Sequence, residues 1–552
     1  MHNLTRRQFL QGTMAAGALA TLGTSPFNLW AGETDLASAV EDELAGPARG
    51  PWRRLFLDAF AVEGHDGLNR IFHAAEKHAG NPVIKRDKPW EGVSAIIGPY
   101  LYGTVFREGD KFRMWYEVHN KGNHTGYAES RDGIAWTKPD LGLIEFQGSK
   151  ANNFVTSAAD RAATGGQCHN PSVIRRPNET DPEKRYALYG FDGKVGARVA
   201  FSPDGLRWKF TPETEKKALF SSSDVVNFFY DPYQKLYFVT WKTRSRRGRA
   251  AGVAWSKDGI NWTKPYDGPT FVADDLDPDA TQIYGIPVFP YQGLYLGQPW
   301  MYFARYFKYG DYTVQRMYEA QEDSPRTMEV QVAWSWDMIN WTRPPVREQF
   351  IPRGGKDEWD RGMIFTARAP VLVGDKLYFY YGGTDRSHDD PRVNAAIGLA
   401  TLRLDGFCSM RAAASEGWLI TRREPAREPV VSINAKTAKD GFVTAEILDR
   451  KNRVIPGFSR QDCVVFTGDS VKHELKWKTA TLPAKTVDWK VRFWLKNSDL
   501  YSIVTNCWRS SSEVYIFTLL LHPFDSISYT LLVEELRCLI WITCHCDTLV
   551  KF

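Results

Sequence analysis

A seven-residue pattern, Ser-x-Asp-x-(Ile/Leu)-x-Trp, recurs four times along the chain: Ser130 to Trp136, Ser202 to Trp208, Ser256 to Trp262 and Ser335 to Trp341. Repeats tens of residues apart mark solenoids and propellers, because one unit cannot bury its apolar face alone. In the first three copies the Asp is followed by Gly133, Gly205 or Gly259. Asp-Gly is a tight-turn pair: glycine takes positive φ at no steric cost, and the Asp side chain bonds backbone two residues on. Each copy therefore reads as strand, turn, strand, with the Trp opening the next strand, where it covers a seam between sheets.

A second element lies upstream of the turns. Gly109 to Tyr116, Asp181 to Tyr189, Asp231 to Val239 and Gly374 to Tyr381 each read as a turn entering an aromatic strand, and each follows an apolar run. Together the pieces make a four-stranded antiparallel blade. A fifth unit, Arg361 to Phe407, ends on Leu404-Asp405-Gly406-Phe407 in place of the Ser-Asp-Trp turn. The turn aspartates Asp132, Asp204, Asp258, Asp337 and Asp405 are 72, 54, 79 and 68 residues apart. That exceeds the ~45 residues of a minimal blade, so the surplus forms loops. The fold class is all-β: a five-bladed β-propeller over 85–407, whose innermost strands project their first residues into a central funnel.

The rest of the chain divides around this ring. At 552 residues it exceeds what one hydrophobic core serves. Its 20 Trp and 24 Tyr favour strands over helices. Thr5-Arg6-Arg7-Gln8-Phe9-Leu10 ahead of the weakly apolar 14–22 resembles a twin-arginine signal within residues 1–31, too short to span a membrane. Such a signal implies export of a folded protein to the periplasm or the medium. Residues 52–84 read as a lead-in with a closing strand, placed at Leu55-Phe56-Leu57-Asp58, where a structural role for Asp58 is at least as well supported as a catalytic one. Short alternating strands over 417–502 read as a small β-sandwich. Beyond Ser502 the chain has neither Gly nor Ala through 552. That segment, 503–552, reads as an anomalous tail, and translation out of frame is one account of it.

Charge and cysteine usage exclude several classes. The net charge of +5, from 70 basic and 65 acidic residues, is not gathered into a stripe, so nucleic acid is not implied. The run Arg244 to Arg249 reads as a solvated loop or a substrate contact. Cys168, Cys408 and Cys463 are far apart, with no metal-ligand or CxxC spacing. Asp274, Asp275, Asp277 and Asp279 have spacings that a Ca²⁺ loop uses, but without its Gly turn and final Glu. A solvated acidic loop is the better reading, no cofactor is required, and Ca²⁺ binding at these carboxylates stays open as the alternative. The oligomeric state is not legible.

With Leu55-Phe56-Leu57-Asp58, Asn81-Pro82-Val83 and Lys88-Pro89-Trp90-Glu91-Gly92 ahead of the first blade, the chain resembles the five-bladed propeller glycoside hydrolases of families 32, 43 and 130. It is nearest to exported bacterial family 32-like proteins. Ser223 to Phe228, Val288 to Gly293, Glu358 to Ile364 and Ile455 to Ser459 carry the same resemblance, which covers about 52–502. It implies a carbohydrate substrate. The Trp-x-Asn-Asp-Pro-Asn-Gly motif of the family 32 nucleophile is absent, which speaks against fructan cleavage.

Glycoside hydrolysis uses a proton donor and a carboxylate, so acids must meet in the funnel. Entry to the innermost strands selects Asp224, Asp360, Glu91 and Glu329 as catalytic candidates. Asp224 leads, because it follows a polar Ser run and opens an apolar strand. Trp90, His169, Asn170, Tyr284 and Arg361 are the substrate-binding candidates: an aromatic face for stacking on sugar, and polar groups for hydroxyls or an acidic sugar. Each has a structural alternative, in a rim salt bridge, a turn cap or a core hydrogen bond. Two rival readings stay open, a non-catalytic carbohydrate-binding propeller and another sugar-active enzyme, a lyase or a phosphorylase.

Overall fold

The computed structural model describes residues 44–47 and 51–505, apart from 93–94, 159–165, 211–214, 267, 305, 310–311, 316–325, 389, 427–429 and 479–486. The export segment 1–31 and the tail from 506 onward lie outside these residues. Regular structure is almost wholly strand, with a 3-10 turn at Pro182–Lys184.

The Ser-Asp turns are built from side chains that replace ladder hydrogen bonds. Ser130 Oγ donates to Asp132 Oδ1 and accepts from Gly133 N, both at 2.9 Å, while Asp132 Oδ1 accepts from the amides of Ile134 and Ala135 at 2.8 Å. These amides hold the Asp132 carboxyl below the usual carboxylate range. The arrangement recurs at Asp204, Asp258 and Asp337. Gly133 has φ 75°, and a Cβ there would meet Tyr380 Oη at 2.5 Å. In the fourth copy Met338 holds the equivalent left-handed position, at φ 67°.

Five blades follow one another around the ring. The first is Pro99–Glu108, Lys111–His119 and Asn123–Ser130, edged by Trp136–Thr137 and Phe154–Ser157. His169–Arg175, Tyr186–Asp192 and Gly196–Ser202 make the second, with an outer bridge from Phe201 to Lys209. Val226–Asp231, Leu236–Ser245, Gly248–Ser256 and Trp262–Thr263 make the third. The fourth is bent. Thr281–Gly285 continues as Val288–Tyr291, Leu294–Gly297 as Trp300–Phe303, and Met328–Val330 as Ala333–Ser335. A single parallel pair, Met328 with Met363, joins its inner half to the fifth blade, so hydrogen bonding runs on across the two units as one nine-stranded sheet. Met363–Thr366, Lys376–Thr384 and Val393–Arg403 form the fifth.

The ring is closed by a segment other than the expected one. Glu76–Lys77 pairs antiparallel with Thr401 and Ala400 on the outer edge of the fifth blade. Leu55 instead pairs with Ser502, and Arg54 with Ile503, in the C-terminal sheet. The reason lies in its neighbours. Asp58 accepts from the indoles of Trp334 and Trp336, at 2.9 and 3.1 Å, and from Phe60 N at 2.8 Å, which fixes this stretch against the fourth blade. Asp58 is structural.

The C-terminal region is one hydrogen-bonded network of nine strands, in which the long strands Ser432–Leu448 and Val487–Val504 pair along their length through bulges. Val62–Asp66 and Asn69–Phe72 from the N-terminal side complete it. Asp405, fully buried, ties this sheet to the ring: it accepts from Tyr291 Oη and Ser502 Oγ at 2.6 Å and from Arg53 Nε at 2.9 Å. Cys168, Cys408 and Cys463 are buried free thiols.

Candidate active site

All five blades present their funnel ends to one cavity of about 430 Å³, lined among others by Tyr100, His169, Asp224, Tyr284, His388 and Asp390. The positions follow from strand direction. His169 opens the inner strand of the second blade, and Asp224 stands two residues before that of the third. Glu117 and His119 end the second strand of the first blade, where Tyr100 faces Glu117 in the ladder. The Ser-Asp turns occupy the other end of the blades.

Two pairs of a carboxylate with a basic nitrogen organise the site. Asp224 Oδ1 lies 2.6 Å from Lys242 Nζ and accepts from Ser223 Oγ at 2.9 Å. Burial pushes the Asp224 carboxyl up, but the Lys242 charge, these hydrogen bonds and nearby His169 outweigh it and bring its pKa down to about 2. Its side chain is 46% exposed, so the ionised oxygens stay open to the cavity. In the second pair, His169 Nδ1 lies 2.5 Å from Glu117 Oε1. Glu117 Oε2 accepts from Asn170 N at 3.0 Å, and Tyr100 also hydrogen-bonds this carboxylate. Burial works against charge on His169, yet Glu117 and, more weakly, Asp224 raise its pKa above the ordinary imidazole value. Asn123 Nδ2 also lies 2.8 Å from this Nδ1, so among the described residues the hydrogen-bond contacts of the ring fall on Nδ1 and not on Nε2.

Aromatic walls surround these pairs. Tyr102 stacks on Trp300 with ring centroids 5.1 Å apart, edge-on to Phe365 and His169. Tyr284 Oη lies 3.2 Å from His388 Nε2. Apolar faces with a few convergent polar groups are the usual lining of a small-molecule site.

Of the residues selected from sequence, Asp224, His169 and Tyr284 line this cavity. The others have structural partners. Glu91 is fully buried, 2.6 Å from Lys138 Nζ, and accepts from Tyr116 Oη at 2.9 Å. Asp360 is buried against Lys77 at 2.7 Å and accepts from Tyr381 Oη at 2.9 Å, which fastens the closing strand. Glu329 is buried and accepts from Gln331 Nε2 at 3.0 Å. Trp90 Nε1 donates to Asn153 Oδ1 at 2.9 Å. Asn170, at φ 56°, accepts from Val226 N at 2.8 Å and so links the second blade to the third. Arg361 donates to the carbonyls of Asp385 and Lys356. Asp274 and Asp277 pair with Arg343 and Arg347, and Asp275 with Arg247. Among the described residues no group of three His, Cys, Asp or Glu is placed to hold a metal ion. Glu117, His119, His388 and Asp390 were not selected from sequence. Strand alternation alone makes Glu117 an ordinary polar position; the nearby His119, at the funnel end of the same strand, was the available signal.

Residues 3–23 match the model of the twin-arginine translocation pathway signal sequence, so the chain carries an export signal. No described helix is long and apolar enough to cross a membrane. No curated protein matches the chain in sequence. Among solved structures, the chain is similar to a glycosyl hydrolase from Bacteroides ovatus, at 15% identity and TM-score 0.42 over 60% of this chain and 94% of that one. It is also similar to a protein of the GH130 family of mannoside phosphorylases, which contains glycoside hydrolases that target β-1,2 mannosidic linkages in Candida mannan; the values are 17%, 0.39, 60% and 94%. A thermostable family-43 glycoside hydrolase matches at 14% and 0.37, over 59% of this chain and 95% of that one.

Proposed function

We propose that the protein is an exported glycoside hydrolase acting on an oligo- or polysaccharide in the propeller funnel. The observation that carries this reading is the ionised Asp224 near a histidine that a buried glutamate contacts and biases toward its charged form, in one aromatic-walled cavity. In this mechanism Asp224 supplies the negative charge at the anomeric carbon. His169, protonated through Glu117, passes its Nε2 proton to the departing glycosidic oxygen and recovers one from the attacking water. Lys242 keeps Asp224 ionised, and the tyrosines stack on the sugar ring.

The test is release of reducing ends from a panel of plant and algal glycans by wild type, Asp224→Asn, His169→Gln and Asp390→Asn. The reading expects a loss of about a hundredfold or more for the first two. A larger loss for Asp390→Asn than for His169→Gln would transfer the proton-donor role to Asp390. Unchanged turnover in Asp224→Asn would reject the mechanism.

One observation favours a second reading, β-elimination by a lyase. Lys242 Nζ lies 4.5 Å, and Arg249 Cζ 5.7 Å, from the centroid of Tyr284, which shares the cavity with His169. Burial and Asp224 raise the Tyr284 pKa, so the base in that scheme would be His169 in its neutral form, and lyase activity would rise with pH through the His169 titration. An unsaturated, ultraviolet-absorbing product would distinguish it from hydrolysis.

A further inference from the structure

The basic run Arg244 to Arg249 lies at the funnel end of the third blade, on the hairpin joining Leu236–Ser245 to Gly248–Ser256. In that ladder Arg244 is directly opposite Arg249, and Lys242 opposite Ala251. Side chains two apart on a strand share a face, so Lys242, Arg244 and Arg249 stand on one face of the hairpin. Like charges directly opposite one another destabilise a sheet.

The local carboxylates do not account for this grouping. Asp224 neutralises Lys242 at 2.6 Å. Arg249 spends its polar contacts on a neutral amide, with Nη1 2.8 Å from Gln282 Oε1, and rests its guanidinium 4.9 Å from the Tyr302 centroid. Arg244 is exposed, and among the described residues no carboxylate pairs with it or with Arg249. The acids that approach this hairpin in space, Asp274 and Asp275, pair with Arg343, Arg347 and Arg247 and not with Arg244 or Arg249. Arg249 and Arg244 together depress the Lys242 pKa, after burial, which places all three charges in one field.

We propose that this face binds an anionic group on the sugar, a uronate carboxylate or a sulfate ester, beside the cavity that holds the reacting residue. The inference rests on the funnel being a carbohydrate site and deepens that reading by naming the substrate class as acidic. Arg249, stacked on Tyr302 and near Tyr284, presents a planar fork that suits either group. Arg244 supplies a second charge from the rim.

The test is calorimetric binding by the full chain, with trigalacturonate and its methyl ester as one pair and a sulfated carrageenan disaccharide and its desulfated form as the other. At least one charged probe is expected to bind tenfold or more tightly than its neutral partner, with the preference declining as salt is raised. The pair showing the preference identifies carboxylate or sulfate as the source. Arg249→Gln should abolish the preference, and Arg249→Lys should retain part of it. Arg244→Gln, at an exposed position, should weaken it several-fold and keeps the test decisive if Arg249→Gln fails to fold. Equal binding of charged and neutral partners, no binding of either charged probe, or a preference that survives both substitutions would overturn the proposal. Hydrolysis of neutral glycans without anion preference would remove this inference and leave the hydrolase reading intact. Tight anion binding without cleavage would do the reverse.

Discussion

His169 Nδ1 and Glu117 Oε1 lie 2.5 Å apart, although 52 residues separate them in the chain. The carboxylate belongs to the second strand of one blade and the imidazole to the first strand of the next, so the pair exists only when two blades dock. It fixes the ring orientation of His169 and biases it toward the charged form.

A pH dependence follows with a definite sign. The folded pKa of His169 is raised, so the stability contributed by the pair is fully present below the unfolded value of about 6.5 and is lost as pH rises through the folded pKa. The stability gap between wild type and His169→Gln, measured by urea unfolding, should be largest in acid and shrink toward alkaline pH. If His169 is the proton donor, the alkaline limb of kcat should coincide with the same titration, and Glu117→Gln should move that limb to lower pH.

Asp224 governs the opposite limb. Its pKa of about 2 rests chiefly on Lys242, acting against burial. Activity that needs the ionised carboxylate is lost as pH falls through this value. Lys242→Met removes the cation, so the acid limb of the pH–rate profile should move upward, and titration of Asp224 by NMR should report the same shift. An acid limb unmoved by Lys242→Met would detach Asp224 from that limb.

Glu91 supplies a contrasting control. Its buried carboxylate faces Lys138 and Tyr116, away from the cavity lining. Glu91→Gln should lower stability by about 3 kcal/mol, the scale for breaking a buried ion pair from one side. The specific activity of the folded fraction should stay unchanged. Denaturant midpoints beside active-site-normalised turnover measure both.

Gly133→Ala tests the turn chemistry. A side chain at φ 75° is strained, and the new Cβ would press on the hydroxyl of Tyr380 across the boundary between the first and fifth blades. A loss of about 1–3 kcal/mol is expected, visible as a fall in Tm. The same substitution at Gly109, whose Cβ position has nothing within 4 Å, should cost less, since only the backbone term remains.

The architecture was legible because it is periodic. Each Ser-Asp-Trp turn carries its own hydrogen-bonding instructions, and Asp405 marked the last unit despite lacking that sequence. The place of Asp224 on the cavity wall was legible for a related reason: a charge opening an apolar strand has to face somewhere polar. Position along a strand gives only the height of a residue in the ring. It does not tell which way its side chain turns, and Glu91, Asp360 and Glu329 turn toward Lys138, Lys77 and Gln331. Glu117 was hidden because its significance comes from His169 and Tyr100, on strands that its own neighbourhood does not specify. The closing strand was misplaced because Leu55-Phe56-Leu57 has the stronger strand composition, whereas Glu76–Lys77 is a short polar stretch held by pairing with Ala400 and Thr401 and by the Lys77–Asp360 ion pair, whose partner is remote in the chain.

That short latch sets an order of events during synthesis. Its partners, Ala400 and Thr401, emerge from the ribosome more than three hundred residues after it, so the ring stays open until most of the chain exists. The export signal at 3–23 lies on the same side of the ring sequence as the latch. A transport route that carries folded cargo would then receive a molecule whose amino-terminal arm has already been drawn across its final blade, and premature cleavage behind residue 84 would strip away the antiparallel contacts of that arm with Ile397 to Thr401.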